Sequence, residues 1–205
     1  MVAELISVGT EILLGNIVNT NAAYLAEKCA LLGLSLYHQS VVGDNEARME
    51  DTIRRALERS DVVILTGGLG PTKDDLTKEV TAKVFKKALC EDAHTKERIM
   101  EFFQKIHNGE KITENNWKQA LIPEGAIIVE NQNGTAPGLI VIGDEGSGYE
   151  GKRAILIPGP PNECIPMFET QIAPYLSDLQ PEGIYSSMVK VCAIGAVSYT
   201  HLTLP

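Results

Sequence analysis

Short apolar runs alternate with stretches of helical periodicity along most of this chain. Residues 2–8 (VAELISV) form a β-rich run that ends at Gly9, and residues 34–42 form a second, closed by Gly43-Asp44. Residues 61–66 (DVVILT) are apolar through their middle, as a strand covered on both faces requires. Between these runs, Ala22, Leu25, Ala26, Cys29 and Leu32 fall on one helical stripe stopped by Gly33. Met49, Ile53, Ala56 and Leu57 fall on another, which Asn45 is placed to cap. Leu76, Val80, Val84 and Ala88 predict a further helix, and two more polar helical stretches cover 95–107 and 113–121. Apolar runs return at 126–129, 139–142 and 154–157, and a last helix is expected over about 163–175 with Asn162 as its cap.

Strand–helix–strand alternation over the first half predicts right-handed crossovers and an α/β fold with a largely parallel sheet. The runs within 126–157 are joined by short loops and read as antiparallel additions. The 205 residues suit one domain with a substantial core. Eighteen basic against 27 acidic residues give a net charge of −9, which disfavours a nucleic-acid partner because phosphate neutralisation needs a basic face. A small anionic ligand remains compatible, since oriented backbone amides act locally against the net field.

The four cysteines are scattered without a C-x-x-C pair and read as reduced, mostly buried thiols. No basic leader precedes an apolar segment and no window approaches 18 apolar residues, so a cytoplasmic protein with no membrane partner is expected.

In open α/β sheets, ligands sit beyond the carboxyl ends of the strands. The segment Thr66-Gly67-Gly68-Leu69-Gly70-Pro71-Thr72-Lys73-Asp74-Asp75-Leu76-Thr77 leaves the most buried run and enters a helix. Its glycines permit close backbone approach, and successive amides there form an anion-binding nest at a helix start. Thr72 with Asp75 also fits a capping box, which is the purely structural reading. Asp74 and Asp75 together go further, because two adjacent carboxylates repel unless a cation such as magnesium relieves them.

Gly9-Thr10-Glu11, Asn133-Gly134-Thr135-Ala136-Pro137-Gly138 and Pro158-Gly159-Pro160-Pro161-Asn162-Glu163 are further small-residue loops beside apolar runs. Each alone reads as readily as a turn. Gly146-Ser147-Gly148-Tyr149-Glu150-Gly151 matches G-x-G-x-x-G but precedes a strand, so it reads as a hairpin loop. Trp117 reads as a core anchor, Lys86-Lys87 as a solvated helix face, and the four histidines show no ligand spacing.

The stretches GTEILLGNIVNTNAAYLA, TGGLGPTKDDLT, NQNGTAPG and PGPPNE, in that order, resemble the amino-terminal domain of the CinA-like (competence/damage-inducible protein A) family, within the molybdopterin-binding-domain superfamily. The resemblance covers about residues 1 to 195, with Cys164 where relatives usually carry methionine. It implies a three-layer α/β/α sandwich with a mostly parallel mixed sheet, a ligand cleft at the strand ends, and homo-oligomers. It also implies binding of a pterin or nucleotide and hydrolysis of ADP-ribose-type pyrophosphates that depends on a divalent metal and potassium.

Mapped onto this chain, the implied site comprises Thr10, Glu11, Gly67, Gly68, Gly70, Thr72, Asp74, Asp75, Thr77, Gly134, Thr135, Gly159, Pro160 and Glu163, to which Thr66 is added as the strand-end residue. Asp74 and Asp75 are expected to hold the metal, with Glu11 orienting water and the others binding substrate. Residues 1–175 are expected to form this domain and 176–195 to begin a linker or second small domain. Residues 196–205 (AVSYTHLTLP) read as a non-native tail, and the amidase domain of longer members is not expected within these residues. Two other functions compete: a pterin- or nucleotide-binding module without turnover, and a step of molybdenum-cofactor synthesis.

Overall fold

The computed structural model describes residues 1–106 and 112–180. His107, Cys192, His201, residues 181–195 of the anticipated linker and the anticipated tail lie outside the described residues.

The predicted alternation is present. β1 (Val2–Val8) is followed by the short α1 (Thr10–Leu13) and α2 (Thr20–Leu31), then β2 (Ser35–Val42), α3 (Glu46–Arg59) and β3 (Val62–Thr66). Asn45 caps α3 by accepting from the Arg48 amide at 3.1 Å, as expected. α2 begins at Thr20, capped by Asn19, whose side chain accepts from the Ala22 amide. Next come α4 (Thr77–Val84), β4 (Leu89–Glu91), α5 (Ala93–Ile106), α6 (Glu114–Trp117), a 3-10 turn at Lys118–Ala120, and β5 (Leu121–Pro123). β6 (Ile127–Val129), β7 (Gly138–Ile142) and β8 (Arg153–Ile157) complete the strands. The chain then runs through α7 (Pro161–Met167), a wider π turn at Phe168–Ile172, and α8 (Ala173–Leu179).

Six strands form one sheet in the order β2-β1-β3-β8-β7-β6. β2, β1, β3 and β8 are mutually parallel, while β7 runs against β8 and β6 against β7. The period-2 alternation of each central strand explains the layers. Ile6, Val8, Val63, Leu65, Ala154 and Leu156 face one side, packed on Met49, Ile53 and Leu57 of α3 and on Val80 and Val84 of α4. Ala3, Leu5, Val62, Ile64, Ile155 and Ile157 face the other, covered by Leu25 and Cys29 of α2 and by Cys164, Met167, Phe168, Ile172 and Leu176 of the last helical run. The fold is therefore the expected three-layer sandwich with a mostly parallel mixed sheet.

Several local expectations are corrected. The last helix starts at Pro161, so Asn162 lies inside its first turn and Pro160 precedes it. α4 stops at Val84 and Lys86 turns left-handed (φ 56), so Ala88 falls beyond the helix. Lys86 and Lys87 are accordingly not a solvated helix face: Lys87 is nearly buried and pairs with Asp144 at 2.5 Å, and Lys86 donates to the Gly146 carbonyl. Trp117 is only partly buried, its ring facing the Lys96 ammonium at 5.9 Å. Of the cysteines described, Cys29 and Cys164 are buried, which pushes both thiols up to about 12, whereas Cys90 is exposed. Residues 143–152 turn β7 into β8, and Glu150 accepts from the amides of Gly146 and Gly148, so the glycine triplet there is a hairpin loop.

Candidate functional site

Sheet register explains why four distant stretches meet. Ser7 lies opposite Thr66 and Thr66 opposite Ile157, so β1, β3 and β8 end at one edge. Because β6 and β7 are antiparallel, Val129 pairs with Gly138 and Leu139 with Leu156, which returns the loop between them to that same edge. The loops that follow β1, β3, β6 and β8 enclose a cleft of about 890 Å³.

Gly67 and Gly68 adopt φ of 98° and 66°, and a Cβ on Gly67 would overlap the Val8 carbonyl. Only glycine meets both demands. The Gly67 amide donates to the Ile157 carbonyl at 3.0 Å, and the Thr77 amide donates to the Gly68 carbonyl at 3.1 Å. Both are thereby lost to an anion nest. Among the described residues, the amides of Gly68, Leu69 and Gly70 donate to no protein group, so the nest is narrower than the glycine pattern suggested.

Beyond it, the Thr72 hydroxyl and amide both donate to Asp75 Oδ2, at 2.5 and 2.9 Å. The carboxylate on the Thr72 amide is half of a capping box, but the hydroxyl donates instead of accepting from the Asp75 amide and α4 begins only at Thr77, so the pair closes a free-standing turn ahead of the helix. The turn is held from behind: Lys118 Nζ donates to the carbonyls of Thr72 and Asp75, and Gln119 Nε2 donates to that of Leu69. Asp74, exposed on this turn, borders the cleft.

On the opposite walls, Glu11 folds its carboxylate back over Gly9. Glu163 Oε2 accepts from Asn131 Nδ2 at 2.6 Å, and burial raises the Glu163 carboxyl above its ordinary value against the lowering effect of that bond. Asn21 Nδ2 donates to the Gly159 carbonyl at 2.7 Å, and Asn133 Nδ2 to that of Asn162 at 2.6 Å, which ties the two small-residue loops together.

Thirteen of the anticipated residues line one cleft: Glu11, Thr66, Gly67, Gly68, Gly70, Thr72, Asp74, Asp75, Gly134, Thr135, Gly159, Pro160 and Glu163. Thr10 and Thr77 do not. The Thr10 hydroxyl and amide donate to Asp44, which borders the cleft in its place, at 2.8 and 3.1 Å. Thr77 is fully buried, and its hydroxyl donates to the Gly67 carbonyl. α7 offers little to an anion, because Pro161 has no amide hydrogen and the amides of Glu163 and Cys164 already donate to the Pro160 carbonyl. Asn19, Asn21, Asp44, Phe102 and Gln119 also line the cleft; the first two fall within the family-like stretch 9–26 but not among its expected site residues, and no motif marked the other three.

Five carboxylates border the cleft (Glu11, Asp44, Asp74, Asp75 and Glu163), and no lysine or arginine stands among its lining residues. Among the described residues no three acidic, histidine or cysteine side chains cluster as a closed metal cage. That donor set fits a hard cation such as magnesium only when substrate phosphates complete its shell, with one or two carboxylates supplied by the protein.

The profile of a family described as "Probable molybdopterin binding domain" matches residues 4–178. Among curated proteins, a CinA-like protein of Dictyoglomus turgidum is 51% identical over 195 residues, covering 95% of this chain and 46% of that one. A protein of Caldanaerobacter subterraneus with a competence-damage inducible name is 48% identical over 205 residues, covering 100% and 48%. The chain thus spans about half the length of the curated relatives it matches.

The crystal structure of CinA from Thermoplasma acidophilum, described as of unknown function, matches with a TM-score of 0.71 at 37% identity over 83% of this chain and 95% of that one. The molybdopterin biosynthesis enzyme MoaB of Thermus thermophilus matches with a TM-score of 0.52 at 14% identity over 89% and 98%, a likeness of fold alone. Among the described residues no helix is long and apolar enough to cross a membrane.

Proposed function

The chain belongs to the molybdopterin-binding-domain family, in its CinA-like branch, and on that premise we propose that its strand-end cleft hydrolyses an ADP-ribose-like nucleotide pyrophosphate with the help of a divalent cation. The observation that carries this reading is the pairing of three unclaimed loop amides, on Gly68 to Gly70, with five bordering carboxylates and no lysine or arginine. A pyrophosphate entering such a cleft needs a counter-cation, and Asp74 and Asp75 lie on the same loop as the amides.

In this reading Asp74 and Asp75 hold the cation against the phosphates. Held there, a divalent cation would neutralise phosphate charge and polarise a phosphoryl oxygen. The Gly68–Gly70 amides donate to the phosphoryl oxygens and strengthen as charge develops there. The Glu11 carboxylate orients the attacking water, whose oxygen forms the new P–O bond as the bridging P–O bond breaks. The products of ADP-ribose are then AMP and ribose 5-phosphate. Glu163, held by Asn131, lines the wall facing the substrate.

Release of AMP from ADP-ribose, followed with magnesium, with potassium added and with a chelator, tests the proposal. Metal-dependent release supports it. Tight binding without release favours a binding module, and a thermal shift with molybdopterin that exceeds the one with ADP-ribose favours cofactor synthesis.

A further inference from the structure

Gln119, in the turn after α6, is 3% exposed and lines the cleft. Its Nε2 donates to the Leu69 carbonyl at 3.3 Å, and this fixes the amide orientation, since the reverse would set two oxygens face to face. Its Oε1 is then buried with no partner among the described residues. A buried acceptor without a donor is costly, and native structures seldom tolerate one without a water or a ligand to meet it.

Among the described residues, Phe102 of α5 is the one aromatic side chain that lines this cleft. It lies with Gln119 on the wall that the helical excursion between β4 and β5 adds to the sheet edge. Leu69, whose carbonyl Gln119 holds, also joins Gly68 and Gly70 in the amide nest. The acceptor is therefore tied to the loop that would take the phosphates.

We propose that Phe102 and Gln119 form a ring-recognition subsite, in which Phe102 offers an aromatic face to a planar heterocycle and Gln119 Oε1 accepts from an amine or hydroxyl of that nucleoside or pterin. The inference rests on the reading that the cleft holds a phosphate-bearing nucleotide and adds which side chains read its organic part. Stacking of a base on an aromatic side chain and one hydrogen bond to a buried acceptor are each worth roughly a ten-fold change in affinity.

The test is calorimetric binding of ADP-ribose, which carries the ring, and of inorganic pyrophosphate, which does not, each with magnesium, to the wild-type chain and to Phe102→Leu and Gln119→Met. Phe102→Leu keeps an apolar side chain at a partly buried position and so guards against a folding failure in the other variant. Each substitution should weaken ADP-ribose by about five-fold or more and leave pyrophosphate within about two-fold. Unchanged ADP-ribose affinity in both variants, or equal losses for both probes, would overturn the subsite while leaving an anion-binding cleft intact. A wild-type chain that binds pyrophosphate as tightly as ADP-ribose also overturns it, and one that binds neither removes the cleft reading as well.

Discussion

The Thr77 hydroxyl donates a 2.8 Å hydrogen bond to the Gly67 carbonyl, and Thr77 is buried behind the cleft that Gly67 lines. Thr77 therefore acts on the ligand loop by holding its backbone. Thr77→Val keeps the shape but leaves that carbonyl without its donor, at a cost of about 1–3 kcal/mol. Thr77→Ser keeps the hydroxyl. Urea unfolding should show Val clearly less stable than Ser, and equal midpoints would contradict this role.

Gly134 and Glu163 are in similarly close relation, since a Cβ on Gly134 would overlap the Glu163 carboxylate. Gly134→Ala should displace that carboxylate from Asn131, lower the melting temperature by the loss of one charge-assisted hydrogen bond, and weaken nucleotide binding at this wall of the cleft. Thermal unfolding checks the loss of stability and calorimetry with ADP-ribose the loss of binding.

Burial holds the Glu163 carboxyl above the ordinary carboxylate value. Between the two values the folded protein keeps a proton that the unfolded chain has released, so this group's contribution to stability declines as pH rises through that window. Glu163→Gln removes the decline and still accepts from Asn131. Its melting temperature should gain on the wild type as pH rises above the ordinary carboxylate value. Parallel curves would count against it.

Lys78 behaves in the opposite sense. Burial pushes its ammonium down to about 8 from 10.5, while its Nζ donates to the Lys118 carbonyl at 2.5 Å. Between about 8 and 10.5 the folded state has lost a proton that the unfolded state keeps, so stability from this group rises with pH there. Against Lys78→Met, the wild type should gain melting temperature as pH climbs through that interval. A constant difference would mean that Lys78 is not desolvated.

Much of this was legible in the chain because a sheet buried on both faces writes itself as apolar runs of fixed period. The strands at 2–8, 61–66 and 154–157, the Asn45 cap and the antiparallel additions follow from such local rules. The glycine and proline loops were legible for a related reason, since Gly67 and Gly68 take left-handed backbone and proline cannot continue a strand ladder.

What stayed hidden depends on partners distant in sequence. Thr10 and Thr77 carry the right chemistry for a site, yet Asp44 and Gly67 draw their hydroxyls away. Gln119 and Phe102 sit in unremarkable contexts, and only packing turns them towards the cleft. The strands at Leu89–Glu91 and Leu121–Pro123 are three residues each, too short for a period to appear, and pair only with one another.

The central claim is that the Asp74 carboxylate, exposed on the turn that Thr72 and Asp75 close, holds a cation against a pyrophosphate. Among the described residues Asp74 has no bond to lose, whereas Asp75 does, so Asp74→Ala is the cleaner variant. Release of AMP from ADP-ribose, measured across a magnesium titration for the wild type and Asp74→Ala, tests the claim most directly. Metal-dependent release is expected in the wild type, with a loss of about 10- to 1,000-fold in the variant at an unchanged melting temperature. Full release by the variant at saturating magnesium, or none by the wild type, would contradict it.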